Sequence, residues 1–340
     1  MATIKDVALR AGVSVTTVSH VVNGTRHVSP DGRERVEQAI RALGYVPSAV
    51  ARSLKRNTTH TLGMITPNSS NPYFAEIVRA AEDRCFGAGY TLILCNTDDE
   101  PRRQSMVLQV LAQRRIDGLI VVSSGDDAGL PALLAGLEMP TVLLDREIDT
   151  LPCDLVETAH MNGALLATRH LATLGHRRIA CIGGPRGLVP SEQRIAGWRL
   201  ALAEIGAGSG HTPEPEADEL LWHGDFTSES GYACMHALLR HTPRPSAVFV
   251  ANDLMALGAL CAAHECGVDV PGDISVVGFD DIELARFSSP PLTTVAQPKQ
   301  RIAALAVDML LERIEGRRAD PRKVVLQPEL RVRASSGAAR

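Results

Sequence analysis

From residue 61 onward the chain alternates between short apolar runs rich in β-branched residues and longer amphipathic segments. The runs TLGMITP, TLILCN, GLIVVSS and TVLLDR are separated by helix-patterned stretches at 72–89, 100–115 and 127–137. A second series, RIACIGGP, ELLWHGDF, AVFVAND and ISVVGFDD, is separated by stretches at 191–206, 227–241 and 254–267. A strand without a polar face must be covered on both sides, and parallel strands need a crossover of a dozen or more residues, which the helical stretches supply. Two such series predict two doubly wound parallel-sheet α/β lobes, with ligands bound beyond the carboxyl ends of the strands.

The residues placed just after those strands carry usable chemistry. They are NSSNPYF, Asp145-Arg146, Asp225-Phe226, Asn252-Asp253 and Phe279 to Asp281; Gln297 closes TTVAQ, and Arg194 follows GGPRG. Aromatic faces (Tyr73, Phe74, Phe226), guanidinium forks (Arg146, Arg194) and amides or carboxylates (Asn71, Asp145, Asn252, Asp280, Gln297) are what a small polyol needs: flat walls for its C–H faces and bidentate groups for adjacent hydroxyls. The plainer alternative is that Asn or Asp after a strand caps the next helix. Asp253 and Asp281 are assigned to capping or structure.

The first sixty residues differ in charge from the rest. They hold nine Lys/Arg against four Asp/Glu, whereas the remainder holds 26 against 35, a basic head on an acidic body that suggests a nucleic-acid module. Ile4, Val7 and Ala8 recur at helical spacing after Thr3 and stop at Ala11-Gly12. Ser14 can cap VTTVSHVV, with Val18, Val21 and Val22 inward and Val15, Thr16, Thr17 and His20 outward. Ser29-Pro30 starts a third helix with Val36, Ala39, Ile40 and Leu43 inward, up to Gly44. Helix, tight turn, helix is a DNA-reading unit; its short polar face suits close approach to base edges, with Arg10 and Arg26 available for phosphates. SAVARSLKRN, Ser48 to Asn57, is patterned as a helix of about two turns, too short to hold alone in water.

TIKDVALRAGVSVTTVSHVVNGTRHVS followed by GYVPSAVARSLK resembles the head and hinge of LacI–GalR family transcription regulators, nearest their ribose and purine branches. The resemblance implies operator contacts by Val15, Thr16, His20 and Arg26 and a minor-groove wedge by Leu54; the outward Thr17 and the basic Lys55 are expected to join them, and the marginal hinge is expected to become helical on DNA. Val15 stands where the purine branch has Thr. Residues 61–335 resemble the family's effector core and the periplasmic sugar-binding proteins, which implies that Asn71, Tyr73, Phe74, Asp145, Arg146, Arg194, Phe226, Asn252, Asp280 and Gln297 hold a sugar. Pro67 and Ser123 depart from the sugar-binding relatives; against the purine branch, Arg146 replaces Trp, and Leu188 and Pro190 replace polar groups. Those departures point to a pentose, ribose first.

Catalytic and metal readings fail on spacing. His264-Glu265 has Val268 where a metalloprotease helix needs its second His, no G-x-S-x-G, P-loop or G-x-G-x-x-G occurs, and the seven cysteines never form C-x-x-C. The 45% hydrophobic content includes no run of about 18 apolar residues, so a membrane span is not expected, nor does MATIKDVALR follow a secretory pattern. The expectation is a cytoplasmic repressor that binds double-stranded operator DNA as a homodimer, takes a small-molecule sugar effector and uses no cofactor or metal. Its expected domains are a head at 1–46, a hinge at 47–60 and a core at 61–340. Within the core the N-lobe is expected at about 61–160 and 292–320, the C-lobe at about 161–291 and 321–335.

Overall fold

The computed structural model describes residues 2–46, 58–98, 100–122, 129–137, 139–145, 151–209 and 218–340, the side chains of 207–209 excepted. SAVARSLKRN with Leu54 and Lys55, together with Ser123 and Arg146, lies outside the described residues. Met1–Thr59 and His60–Arg340 are separate compact units.

The first unit holds three helices, each started by a side chain and stopped by a glycine. In α1 (Ile4–Ala11), Thr3 and Asp6 form a reciprocal capping box; Ser14 caps α2 (Val15–Asn23) and Ser29 caps α3 (Pro30–Leu43). Gly12, Gly24 and Gly44 follow with φ of 61°, 62° and 57°, the left-handed region that ends helices without a Cβ penalty. Val7, Ala8, Ala11, Val18, Val21, Val36 and Ala39 close a small core.

In the second unit two six-stranded sheets stand among the described residues. The first joins β1 (Thr61–Thr66), β2 (Thr91–Asn96), β3 (Gly118–Val122), β4 (Thr141–Leu144), β5 (Asp154–Thr158) and β11 (Lys323–Leu326) in the order β11-β5-β4-β3-β1-β2, all parallel. The second joins β6 (Ile179–Gly183), β7 (Leu221–His223), β8 (Ala247–Val250), β9 (Ser275–Asp280), β10 (Thr293–Ala296) and β12 (Glu329–Arg331) in the order β12-β10-β9-β8-β6-β7. Only its β10–β12 pair is antiparallel. Helices α4 (Pro72–Gly87), α5 (Pro101–Gln113), α6 (Leu130–Ala135), α7 (His160–Thr173), α8 (Val189–Ser209), α9 (Ser228–Leu238), α10 (Asp253–Glu265) and α11 (Lys299–Ile314) complete the alternation.

The chain crosses between lobes after β5, between β10 and α11, and between β11 and β12, so the lobe limits expected at 292–320 and 321–335 are corrected. Thr293–Ala296 pairs with β9 and belongs to the second lobe, while Lys323–Leu326 pairs with β5 and belongs to the first. Short late strands, β10 between β12 and β9 and β11 at a sheet edge, follow their hydrogen-bonding neighbours, which apolar runs alone do not name. The cysteines are free thiols, with Cys85 and Cys181 buried and Cys261 and Cys266 exposed.

Two glycines set how closely α9 and α10 pack. A Cβ on Gly258 would stand 1.9 Å from the Ser228 carbonyl oxygen, and one on Gly231 would stand 2.1 Å from that of Met255, so the two backbones touch. Gly258→Ala should cost about 1–3 kcal/mol through forced separation of the helices. Gly87→Ala, at an exposed position with nothing within 4 Å, should be neutral or stabilising. Thermal unfolding of the two variants checks the contrast; equal melting temperatures would refute it.

Candidate functional site

Between the carboxyl ends of the two sheets lies a cavity of about 240 Å³. Of the residues expected to hold a ligand, it brings together Asn71, Tyr73, Phe74, Asp145, Arg194, Phe226, Asn252 and Asp280, with Leu188, Pro190 and Asp225 beside them. Gln297 stands one layer behind, and Arg146 is outside the described residues.

The local folding explains the placement. Asn71 caps α4, its Oδ1 accepting the Tyr73 N–H at 3.0 Å, and Asn252 caps α10, its Oδ1 accepting the Met255 N–H at 2.9 Å. Asn252 also donates from Nδ2 to the Phe226 carbonyl at 3.1 Å. The capping alternative therefore holds for both asparagines, which line the cavity because helices in this fold start where strands end. Three lining residues sit in the left-handed region: Asp145 (φ 55°), Phe226 (φ 68°) and Asp280 (φ 118°). Each such residue costs on the order of 1–3 kcal/mol and persists only where its surroundings hold it. Phe226 is held against Gly184, where a Cβ would come within 2.4 Å of its ring.

On and just behind the cavity wall, polar side chains from both lobes form a circuit of close contacts, in which His160 Nε2 has no hydrogen-bond partner among the described residues. Tyr73 Oη lies 3.1 Å from Asp145 Oδ2 and 3.0 Å from Gln297 Oε1. Gln297 Nε2 donates to Asp280 Oδ1 at 2.8 Å, and Asp280 Oδ1 faces an Arg194 Nη1 at 3.7 Å. Arg194 donates through Nε (3.4 Å) and Nη2 (3.3 Å) to His160 Nδ1, and His160 Nε2 lies 3.2 Å from Asp145 Oδ1. The guanidinium also donates to the Ala251 carbonyl and lies 3.9 Å over the Phe279 ring. One phenolic proton on Tyr73 faces two acceptors, so with the amide oriented this way the circuit is one donor short.

The protonation states follow from the same contacts. Arg194 is always a donor, so His160 Nδ1 must offer a lone pair and the neutral ring carries its proton on Nε2, toward Asp145. This agrees with burial pushing the imidazole's pKa down against the pull of Asp145. Burial works to raise the Asp145 carboxyl, but His160, the Thr158 N–H and Arg194 together hold it below the ordinary value. Asp280 goes the other way: burial pushes it up to about 6 despite Arg194, Gln297 and Lys299. Burial, then the Asp280 charge, push Asp253 well above the ordinary range; it is fully enclosed and accepts from the Ile282 N–H and the Thr294 hydroxyl, a structural role.

Two participants were not anticipated. His160 opens α7 after β5, a strand that belongs to neither apolar series, although a histidine directly after a strand was a readable signal. Lys299 is buried, donating from Nζ to the carbonyls of Asp280 (3.0 Å) and Asp281 (2.6 Å), with the Glu76 carboxylate at 3.0 Å. It holds the backbone under Asp280, and nothing in its helical sequence context announces that.

In the head unit, Val15, Thr16 and Arg26 are exposed. Thr17 is half-buried, its hydroxyl 2.8 Å from that of Ser14, which caps the same helix. His20 is half-buried, with Nδ1 2.8 Å from the Thr25 hydroxyl.

Residues 3–48 match the model for bacterial regulatory proteins of the lacI family, and residues 168–336 match a periplasmic binding protein-like domain. The chain is 45% identical to the HTH-type transcriptional repressor PurR of Edwardsiella ictaluri, over 98% of this chain and 97% of that protein. This is a LacI-family transcriptional repressor. The Escherichia coli ribose operon repressor is 42% identical over 99% of this chain and all of its own length. The Lac repressor dimer bound to operator and an anti-inducer is 32% identical, covers 99% of both chains and superposes with a TM-score of 0.87. The α1–turn–α2 unit of this repressor is therefore its DNA-binding element, and the chain belongs with regulators rather than enzymes. No helix among the described residues is long and apolar enough to cross a membrane.

The circuit makes a pH-dependent prediction. A raised folded-state carboxyl contributes stability that is fully present below its unfolded value of 3.8 and is lost as pH rises through about 6. His160, whose pKa is lowered, works in the opposite sense: its contribution is present above 6.5 and is lost as pH falls. Comparing wild type with Asp280→Asn isolates the first effect. The variant should gain on wild type by on the order of 1–3 kcal/mol between pH 5 and pH 7.5. Thermal unfolding at both pH values tests this, and a difference that does not change with pH would refute the assignment.

Proposed function

We propose that this repressor controls a sugar-utilisation operon, with ribose as the first candidate effector, and that the sugar releases it from its operator. The reading rests on one observation above the rest, the phenyl rings of Phe74 and Phe226 lining one cavity with carboxylates and a guanidinium, beside a Tyr73–Gln297 contact that is short of one hydrogen donor. A polyol hydroxyl can both donate and accept, so it can supply that proton while its C–H faces lie on the rings. An anionic ligand would meet Asp98, Asp145 and Asp225. At about 240 Å³ the cavity is also smaller than the roughly 300–1,000 Å³ usual for ligand sites, as suits a monosaccharide.

In this reading the protein acts in the cytoplasm as a homodimer, because a near-palindromic operator needs two heads. Sugar bound across the cleft favours the closed arrangement of the lobes, and the state it favours has the lower affinity for DNA. Regulation then requires differential affinity of the sugar for the two states. Leu54 and Lys55 complete the DNA contact made by Val15, Thr16, Thr17, His20 and Arg26. A purine that tightens DNA binding is the competing effector class, consistent with the relatives named PurR.

Gel shift of operator fragments with and without ribose, alongside calorimetry with ribose, other pentoses, hexoses and hypoxanthine, tests the proposal. The expected result is ribose binding with loss of the shifted band. Hypoxanthine binding that strengthens the band, with no response to sugars, would overturn it. Leu54→Ala should weaken operator binding and reduce operator bending; unchanged values for both would remove Leu54 from the contact set.

A further inference from the structure

Base reading by His20 faces a difficulty that the head unit itself resolves. An imidazole joined by a soft, nearly two-fold torsion presents a nitrogen or a C–H to the same point in space, depending on which way it is turned. A freely turning ring discriminates poorly between base edges, and ordering it on binding opposes association. His20 is not free to turn: Nδ1 lies 2.8 Å from the Thr25 hydroxyl, a contact the turned ring would replace with an unfavourable C–H approach. The partner comes from outside α2. Gly24, with φ of 62° and nothing within 4 Å of its missing Cβ, turns the chain back at the helix end and sets Thr25 beside the ring. Thr25 itself is exposed and contributes nothing to the small apolar core.

We propose that Thr25 is a positioning residue for DNA recognition: its hydroxyl fixes the His20 imidazole so that Nε2 is the edge offered to the major groove. Thr16, four residues before His20, shares its helix face. The turn after α2 is thereby part of the reading surface and does more than end the helix. The proposal rests on His20 being a base reader, and the test separates the two ideas.

The full-length repressor is used with a symmetric operator selected from a randomised pool, followed by the same operator with each half-site base changed in turn. His20→Ala first identifies the base pair at which discrimination depends on the imidazole. If it identifies none, the reading of His20 fails and the proposal falls with it. Thr25→Val keeps the size and removes the hydroxyl. It should reduce discrimination at that same base pair by roughly 3- to 10-fold, as expected for one lost hydrogen bond. Other positions and the slope of affinity against salt should keep their wild-type values. Thr25→Ser should restore discrimination. A Thr25→Val protein that reads the His20 base pair as wild type does would overturn the proposal, as would a loss spread evenly over all positions with a changed salt slope, which marks a phosphate contact. The Thr25→Val melting temperature serves as a control: a purely structural hydroxyl would lower it without concentrating the loss of discrimination at one base pair.

Discussion

The lobes of the core meet through buried polar groups that partner one another almost completely, one donor short, and the organisation of the cleft depends on that circuit. Asp145 and Tyr73 belong to the first lobe and Asp280 and Arg194 to the second, whereas His160 and Gln297 stand on two of the three crossings between them. Burying these groups without partners would cost several kcal/mol each by ordinary transfer values, so each holds its neighbour in place. Their mutual dependence explains why carboxyls in one small volume move in opposite directions. Asp145 has a neutral imidazole and a backbone N–H to stabilise its charge, while Asp280 receives less help than its enclosure demands.

The same economy governs the rim. Asn71 and Asn252 terminate the hydrogen bonding of their helices and line the cavity at once, so capping a helix and facing the cavity are not alternatives for these two. Backbone strain is placed likewise, with Asp145, Phe226 and Asp280 held at positive φ. At these positions the backbone leaves the strand direction, so the side chains line the cavity in a way a regular strand end would not allow.

Much of this was legible from residue order. Strand and helix alternation specified two doubly wound lobes, and the rule that ligands bind beyond strand ends selected Asn71, Tyr73, Asp145, Phe226 and Asp280, all of which line one cavity. The three short helices of the head were legible from Thr3, Ser14, Ser29 and the glycines that end them, because caps are local chemistry. What stayed hidden was non-local. The strand assignment of Thr293–Ala296 and Lys323–Leu326 depends on which neighbour each pairs with. The roles of His160 and Lys299 depend on contacts with Arg194 and with the carbonyls of Asp280 and Asp281, set by the crossovers rather than by periodicity.

The crossovers also bear on how much a small effector can accomplish. Each lobe has its own sheet, while buried apolar side chains from both lobes form one continuous cluster, so the polar circuit is not the only contact between them. A hydrogen bond contributes about 0.5–1.5 kcal/mol net, and more where a charge is involved. Exchanging two or three such bonds between protein partners and ligand hydroxyls therefore amounts to a few kcal/mol, the same order as the 1–3 kcal/mol typical of coupling between sites. A much larger ligand energy would be wasted if it were equal in both states. For the proposed sugar, a hydroxyl that supplied the proton missing between Tyr73 and Gln297 would contribute only to an arrangement of the lobes that holds those two side chains together, which would make its binding unequal.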